Sequence, residues 1–299
     1  MPELPDIELY LGHLRTRLVG QPIESFRLSS PFLLRTVDPP AGSIVGKRVV
    51  DVHRMGKRIV FSLEEELFLV LHLMIAGRLR WLAAGSAVPG KIGLAALDFP
   101  SGTLVITEAG SKRRASLHIV RGRASLGEFA RGGLEVFDAD LAAFSATLLR
   151  ESHTLKRALT DPRLFSGIGN AYSDEILHRA KLSPVRLTRQ LKPEEIATLY
   201  EATRTTLREW MDRLTSETGP KFPEKVTAFR KEMAVHGRYG QPCPVCGDAI
   251  QRIRYAENET NYCATCQTGG RLLADRGLSR LLKEDWPRSL DEMDELKGR

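Results

Sequence analysis

The four cysteines of this chain fall into two Cys-x-x-Cys pairs, Cys243 with Cys246 and Cys263 with Cys266, and sixteen residues separate the pairs. Two such knuckles at that separation bring four thiolates within reach of one tetrahedral Zn²⁺ and leave no coordination position for water or substrate. A closed site of this kind is structural. A ribbon this small has too few apolar residues for a core of its own, so metal binding is expected to supply its folding free energy. Unrelated core cysteines would have no reason to pair in this way. Disulfides belong to secreted chains, and no secretory segment is legible here. The expectation is one structural zinc ion.

The remaining sequence is long enough to bury two ordinary cores, with 299 residues of which 42% are hydrophobic. No run of eighteen apolar residues and no charged-then-apolar leader occurs, so neither a membrane span nor secretion is expected, and the chain is placed in the cytoplasm. The formal net charge is +7. Its distribution says more than its size. Residues 47–58 carry five basic side chains against one acidic, residues 111–123 five against none, and residues 221–280 ten against six, while 281–299 reverse to four against six. One such cluster is ordinarily a solvated face. Three of them beside a zinc ribbon point to a phosphate backbone.

Periodicity divides the chain further. Ile7, Leu11, Leu14 and Leu18 form one helical stripe, with Pro5 suited to the first turn and Gly20 to the stop. From residue 24 to 122 the pattern is one of short strands. Ile59, Phe61 and Leu63 alternate, residues 68–75 form an apolar run broken by His72, and the segments 104–106 and 117–120 follow. Turn residues separate these runs, which predicts a β-sandwich or barrel. Beyond residue 138 the period is helical again. Leu141, Phe144, Leu148 and Leu149 make one helix and Leu155, Ala158 and Leu159 a short second one. Pro193 opens a long helix whose inner face is Ile196, Leu199, Tyr200, Thr203, Leu207, Trp210 and Leu214. Residues 215–241 read as a loop into the ribbon, and Leu272, Leu273, Leu278, Leu281 and Leu282 as a helix ended by Trp286-Pro287.

Before the third helix lies Ser166-Gly167-Ile168-Gly169-Asn170. Two glycines allow a tight turn, and Asn170 is placed to be the N-cap of the helix that follows. Such a turn presents N–H groups and a positive dipole end to a phosphate. Alone, the same residues describe a plain capped helix start.

Taken in order, the opening Met1-Pro2-Glu3-Leu4-Pro5-Asp6-Ile7-Glu8, the Gly56-Lys57 turn, the Gly167-Ile168-Gly169-Asn170 turn and the four-cysteine ribbon resemble the formamidopyrimidine-DNA glycosylase / endonuclease VIII family of base-excision repair enzymes. The resemblance spans about residues 1–267, and the combination is far more specific than its parts. It implies an α+β multidomain chain. An N-terminal catalytic β-sandwich with a flanking N-terminal helix would occupy 1–137, a helix–two-turns–helix DNA-binding domain 138–220, a loop and four-cysteine zinc ribbon 221–268, and a C-terminal helical extension 269–299. The implied partner is damaged DNA, duplex or single-stranded, held bent in a cleft by a monomeric, nucleoid-associated protein.

The implied chemistry follows from the residues. After removal of Met1, Pro2 offers a secondary amine that can attack a sugar anomeric carbon and form an iminium. A free α-amino group titrates near about 7.7–8.0. The helix dipole would lower that value and the Glu3 carboxylate would raise it, an order the sequence leaves open. By resemblance Glu3 is a general acid/base for base departure and ring opening, and Lys57 a catalytic, phosphate-binding lysine. Gly169 and Asn170 match the phosphate clamp, and Lys156 another phosphate-side lysine. Glu8 matches in letter, while Asp6 shortens a position usually occupied by Glu.

Three departures separate the chain from the family pattern. Asn258 stands at the ribbon tip where an Arg grips the phosphates flanking the lesion, and an amide supplies neither that charge nor the bidentate fork. Arg254 or Arg271 is the expected substitute. Ile75 stands where a Met fills the space of the flipped base, and Lys112-Arg113-Arg114-Ala115 lacks the expected Phe, which leaves Arg113, Arg114 or Met74 for that role or an already unpaired substrate. The loop over residues 215–235 is also shorter than in enzymes that cap 8-oxoguanine. The resulting expectation is a bifunctional DNA glycosylase and AP lyase with β-elimination. Its rivals are a non-catalytic damaged-DNA binder that retains the fold, and a zinc-ribbon RNA or transcription factor.

Overall fold

The computed structural model describes residues 1–110, 112–224, 226–227, 229–255, 258–274, 287–290 and 292–293. The chain divides into two compact units, one made of residues 1–131 with 209–228 and the other of 132–208 with 229–299.

In the first unit, helix α1 (Leu4–Leu18) buries Ile7, Leu11, Leu14 and Leu18, the stripe expected from spacing. Pro5 lies in its first turn, and Gly20, at a φ of 83° that glycine adopts without strain, turns the chain away. Eight strands follow: β1 (Ser25–Leu28), β2 (Val49–Met55), β3 (Arg58–Leu63), β4 (Leu67–His72), β5 (Gly77–Leu82), β6 (Gly93–Phe99), β7 (Gly102–Glu108) and β8 (Ser116–Arg121). They form two antiparallel four-stranded sheets, ordered β1-β6-β7-β5 and β2-β3-β4-β8, which is the expected sandwich. Strands β6 and β7 are buried along their whole length, so they sit in the middle of their sheet and read as continuous apolar runs. The chain changes sheet between β4 and β5 through a turn in which Met74 takes a φ of 54°. At Gly77 a Cβ would stand 2.2 Å from the Leu73 carbonyl oxygen, so only glycine fits there. The segment 209–228 joins this unit through Phe222, whose ring lies 5.9 Å from that of Tyr10, and through Pro220, whose carbonyl accepts from Arg17 at 2.9 Å.

The second unit holds α2 (Leu141–Leu149), α3 (Leu155–Thr160), α4 (Asn170–Arg179) and the first part of α5 (Pro193–Thr218). Asp140 caps α2 by accepting from Ala143 N–H, and Thr154 caps α3 by accepting from Arg157 N–H. Helix α5 buries Ile196, Leu199, Thr203, Leu207, Trp210 and Leu214, and it runs into the start of the stretch expected to be loop, as far as Thr218. Asn170 is not the N-cap of α4. Gly169, extended at φ −133°, takes that place, and its carbonyl accepts the first helical bond from Ser173 N–H at 3.2 Å. The amide of Asn170 is thereby left to reach elsewhere.

The ribbon is a two-stranded antiparallel hairpin of β9 (Gln251–Tyr255) and β10 (Asn258–Tyr262), followed by the short α6 (Ala264–Thr268). The chain then does not enter a helix at Leu272 and Leu273. Arg271 bridges antiparallel to Ser289, Leu272 N–H donates to the Arg288 carbonyl at 2.9 Å, and Leu272 packs with Tyr262 and Ala264. The rest of the expected C-terminal helix, with Leu278, Leu281, Leu282 and Trp286, lies outside the described residues. Among the described residues no helix is long and apolar enough to cross a membrane.

Candidate active site and zinc centre

In the first unit Met1 is 36% exposed, and the chain becomes buried at the residue after it. Pro2 is buried, and Glu3 is 2% exposed at the N-cap of α1. Asp6, fully buried, turns its carboxylate back to accept the Glu3 backbone N–H at 3.0 Å. The shorter side chain at this position therefore serves the cap of the helix that carries the terminus. Glu8 lies 2.9 Å from Arg54 Nε. Burial is the largest influence on the terminal amine of Met1 and pushes it below the ordinary value. Glu3 and Asp6 oppose that shift, whereas Arg78 and Lys57 reinforce it. At the Met1 amine the balance of these influences favours loss of the proton. A site that weakens an amine's hold on its proton favours nucleophilic attack.

Lys57 occupies the two-residue turn joining β2 to β3, where Met55 pairs with Arg58 and Gly56 takes a φ of 61°. Beside it is a residue that sequence reasoning passed over. His72, noticed only as a break in an apolar run, pairs in register with Arg58 across β3 and β4. Burial first, then Arg58, Lys57, Arg131 and His118, push its imidazole down to about 4. It is therefore neutral at physiological pH, and a neutral ring among cations can donate one N–H to an anion. Burial and Arg131 also lower Arg58, whose Nη1 donates to the Phe129 carbonyl at 3.1 Å. A set of bases in which each depresses the next is a local excess of positive potential.

The residues expected to fill a flipped base's space stand apart in character. Ile75 is 50% exposed, while Met74 behind it is half-buried. Arg113 is exposed and donates to the Lys91 carbonyl at 2.7 Å. The backbone N–H groups of Arg114 and Ala115 donate to Glu108, which is 2% exposed, so this buried carboxylate fixes the loop and leaves the Arg114 side chain in solvent.

In the second unit the turn at 167–170 and Lys156 do come together. Lys156 Nζ donates to the Asn170 carbonyl at 2.6 Å and to Asp174 Oδ1 at 2.5 Å. A fully buried carboxylate thus holds Lys156 in an ion pair. Asn170 Nδ2 donates to the Glu259 carbonyl at 2.8 Å, which ties the start of α4 to β10. Arg254, with its side chain 62% exposed, lies 3.6 Å from Glu259, and Arg252 lies 3.5 Å from the same carboxylate. Asn258 opens β10 opposite Tyr255, and its side chain lies outside the described residues. Arg271 is exposed where it bridges to Ser289.

The four cysteine sulfurs lie within 4.8 Å of one another. Individual separations are 3.9 Å for Cys243 and Cys266 and 3.3 Å for Cys246 and Cys263. Zinc–sulfur bonds of about 2.3 Å in a tetrahedron place sulfurs roughly 3.8 Å apart, so the cluster fits one ion. Around it, sequence reasoning missed an acidic pair on α4. Asp174 also accepts the Asn261 backbone N–H at 3.1 Å and lies 2.8 Å from His236 Nδ1, while Glu175 accepts the backbone N–H groups of Ala234, Val235 and His236 at 2.7 to 2.9 Å. Their partners lie 59 to 87 residues away in sequence, where no local pattern signals them.

Similarity to known proteins agrees with this anatomy. Residues 1–116 match the family model for the formamidopyrimidine-DNA glycosylase N-terminal domain, residues 134–219 that for its H2TH domain, and residues 240–269 that for a zinc finger found in FPG and IleRS. The chain is 31% identical to formamidopyrimidine-DNA glycosylase from Desulfitobacterium hafniense over 277 residues, covering 89% of this chain and all of the relative. It is 33% identical to the Thermus thermophilus protein of that name over 280 residues, covering 90% of this chain and all of the relative. The fold matches the crystal structure of Lactococcus lactis formamidopyrimidine-DNA glycosylase bound non-covalently to DNA containing an AP site, with a TM-score of 0.78 at 26% identity over 89% of this chain and 99% of that one. Pro2 and Glu3 buried at the start of α1, a glycine turn leading into α4 and a four-sulfur ribbon occur together in one chain that its relatives match from end to end of their own sequences, and the chain belongs to the formamidopyrimidine-DNA glycosylase family of DNA-repair proteins.

Proposed function

We propose that the chain excises damaged bases through the amine of Pro2 and then cuts the strand by β-elimination. The supporting observation is the environment of the terminus, where burial, Arg78 and Lys57 lower the proton affinity of the Met1 amine that precedes Pro2, while Glu3 stands buried at the cap of α1. Removal of Met1 makes Pro2 the terminus. Its nitrogen lone pair attacks C1′ and the N-glycosidic bond breaks, with Glu3 delivering the proton that ring opening needs at O4′. The resulting iminium acidifies the C2′ hydrogens. The Glu3 carboxylate, having given its proton to O4′, takes one of them as a proton, the C–H electron pair expels the 3′ phosphate, and hydrolysis of the iminium returns the free amine. Lys57 and His72 face the flanking phosphate, and Asn170 and Gly169 hold the backbone elsewhere on a duplex or single strand. A single elimination is the reading favoured by Asn258, since an amide carries no cation to the ribbon tip. The zinc ion, held by Cys243, Cys246, Cys263 and Cys266, fixes the shape of the ribbon and takes no part in the bond changes.

Borohydride trapping on DNA with an abasic site tests the reading. The expected result is a covalent adduct whose peptide maps to Pro2 and which Pro2→Gly or a retained Met1 abolishes. Preference for abasic DNA without an adduct would instead establish a damage binder. An adduct on an internal lysine would overturn the assignment of the nucleophile. A panel of oxidised purines, oxidised pyrimidines and bare abasic sites would then rank substrates.

A further inference from the structure

One buried side chain near the zinc centre is used by nothing described so far. His178, on the last turn of α4 and 6% exposed, places Nε2 3.3 Å from Cys243 Sγ, a hydrogen-bond distance to sulfur. The two residues are 65 apart in sequence and belong to the same compact unit. We propose that His178 is an outer-sphere donor to the zinc centre, its Nε2–H holding the Cys243 thiolate so that the metal is released slowly.

Charge and burial make the case. Four thiolates around Zn²⁺ leave a net double negative charge on the sulfurs, and such a centre needs N–H donors wherever water is excluded. Cys243 and Cys263 are the buried pair, at 3% and 0% exposure, whereas Cys246 is exposed. Within the ribbon Val245 N–H donates to Cys243 and Cys266 N–H to Cys263, both at 3.4 Å. The knuckle geometry alone accounts for these two. The imidazole is an additional donor from outside the ribbon, delivered by a helix that two other side chains already fasten to the same segments. Asp174 accepts from the Asn261 backbone N–H, and Glu175 from those of residues 234–236. A hydrogen bond to a metal-bound sulfur needs a donor held in place, and these contacts supply that placement. His178 touches neither DNA nor the reacting atoms in this assignment and is a positioning residue for a metal ligand.

The test measures metal release from the zinc-loaded full chain into excess chromogenic chelator. His178→Phe keeps a ring of similar size and removes the donor, and release is expected to be roughly 10- to 100-fold faster, the range seen for lost outer-sphere partners. His178→Gln retains an N–H donor and should recover part of that loss. Release from the folded Phe variant at the parent rate would overturn the proposal, as would equal acceleration in both variants, since that pattern reports packing alone. A second measurement needs no substitution. With a spin-active cadmium isotope in place of zinc, a scalar coupling between the metal and the His178 Nε2–H proton, transmitted through Cys243 Sγ, is expected in the parent chain. Its absence from an assigned spectrum would overturn the proposal even if neither variant folded.

Discussion

At the residue scale, two side chains near the expected DNA contacts behave differently from what their letters imply. Lys156 is the phosphate-side lysine by sequence, yet Asp174 neutralises it within the fold. Removing the cation would leave a buried carboxylate without its charged partner, so Lys156→Met should cost about 3 kcal/mol of stability in urea unfolding. The same variant should leave the slope of log K for DNA against log salt unchanged, whereas Lys57→Met should reduce it by roughly 0.9. The opposite pattern would mean that Lys156 is the phosphate contact. His72 carries a second prediction. Its imidazole titrates at about 4 in the fold against an ordinary 6.5, so between those values the unfolded chain binds the extra proton. Stability attributable to His72 is therefore full above pH 6.5 and drains away as pH falls toward 4, by on the order of 3 kcal/mol. Unfolding midpoints of the DNA-free chain should fall over that window, and His72→Gln should flatten the fall. An equal slope in both proteins would sink the assignment.

At the element scale, α4 joins the start of the helical turn to the ribbon. Asn170, Asp174, Glu175 and His178 recur at near-helical spacing and all meet ribbon or pre-ribbon atoms, at Glu259, Asn261, residues 234–236 and Cys243. Replacing Asp174 by Asn keeps the shape but removes the charge that holds Lys156 and the acceptor strength that holds the Asn261 amide. Hydrogen exchange at Asn261 should then quicken roughly 10-fold or more while amides of β6 and β7 keep their protection. Unchanged exchange at Asn261 would show that the carboxylate does not restrain β10. The helix itself was legible, because its glycine turn and apolar spacing are local signals. Its polar face was not, since Asp174 and Glu175 look like solvated acids until a distant segment covers them. The same reason hid Asn170's role. The side chain suits an N-cap, but Gly169 takes that position and the Asn170 amide donates to the Glu259 carbonyl. In the sandwich the alternation of Ile59, Phe61 and Leu63 marked a strand, whereas nothing local marks that the chain changes sheet after His72. That change depends on the turn at Met74 and the close approach at Gly77.

At the scale of the whole molecule, the sandwich and the ribbon draw their stability from different sources. The first is a sandwich with two buried central strands, Val105 and Ile106 among their fully covered residues, and it needs no ligand to bury apolar surface. The ribbon has only small clusters, one formed by Val235, Ile250, Cys243 and Cys263 and another by Tyr262, Ala264 and Leu272 with partly buried neighbours. Burying a handful of side chains yields a few kcal/mol, at about 1.5–3 kcal/mol for each large one. The conformational entropy of ordering so long a segment is larger. Structural zinc supplies about 10–16 kcal/mol in small metal domains, a contribution larger than that burial. Two cysteine pairs in the sequence therefore foretell not only a metal but also which part of the chain depends on it. Stripping zinc from the full chain with a strong chelator at neutral pH should abolish protection at the paired amides of β9 and β10, while the β6 and β7 amides exchange as before. DNA affinity should fall with the ribbon, and readdition of zinc under reducing conditions should restore both. If the ribbon amides stayed protected without metal, the clusters alone would be sufficient and the ion would be dispensable for folding. If β6 and β7 also lost protection, sandwich and ribbon would form one cooperative whole, and their stabilities would have a common source.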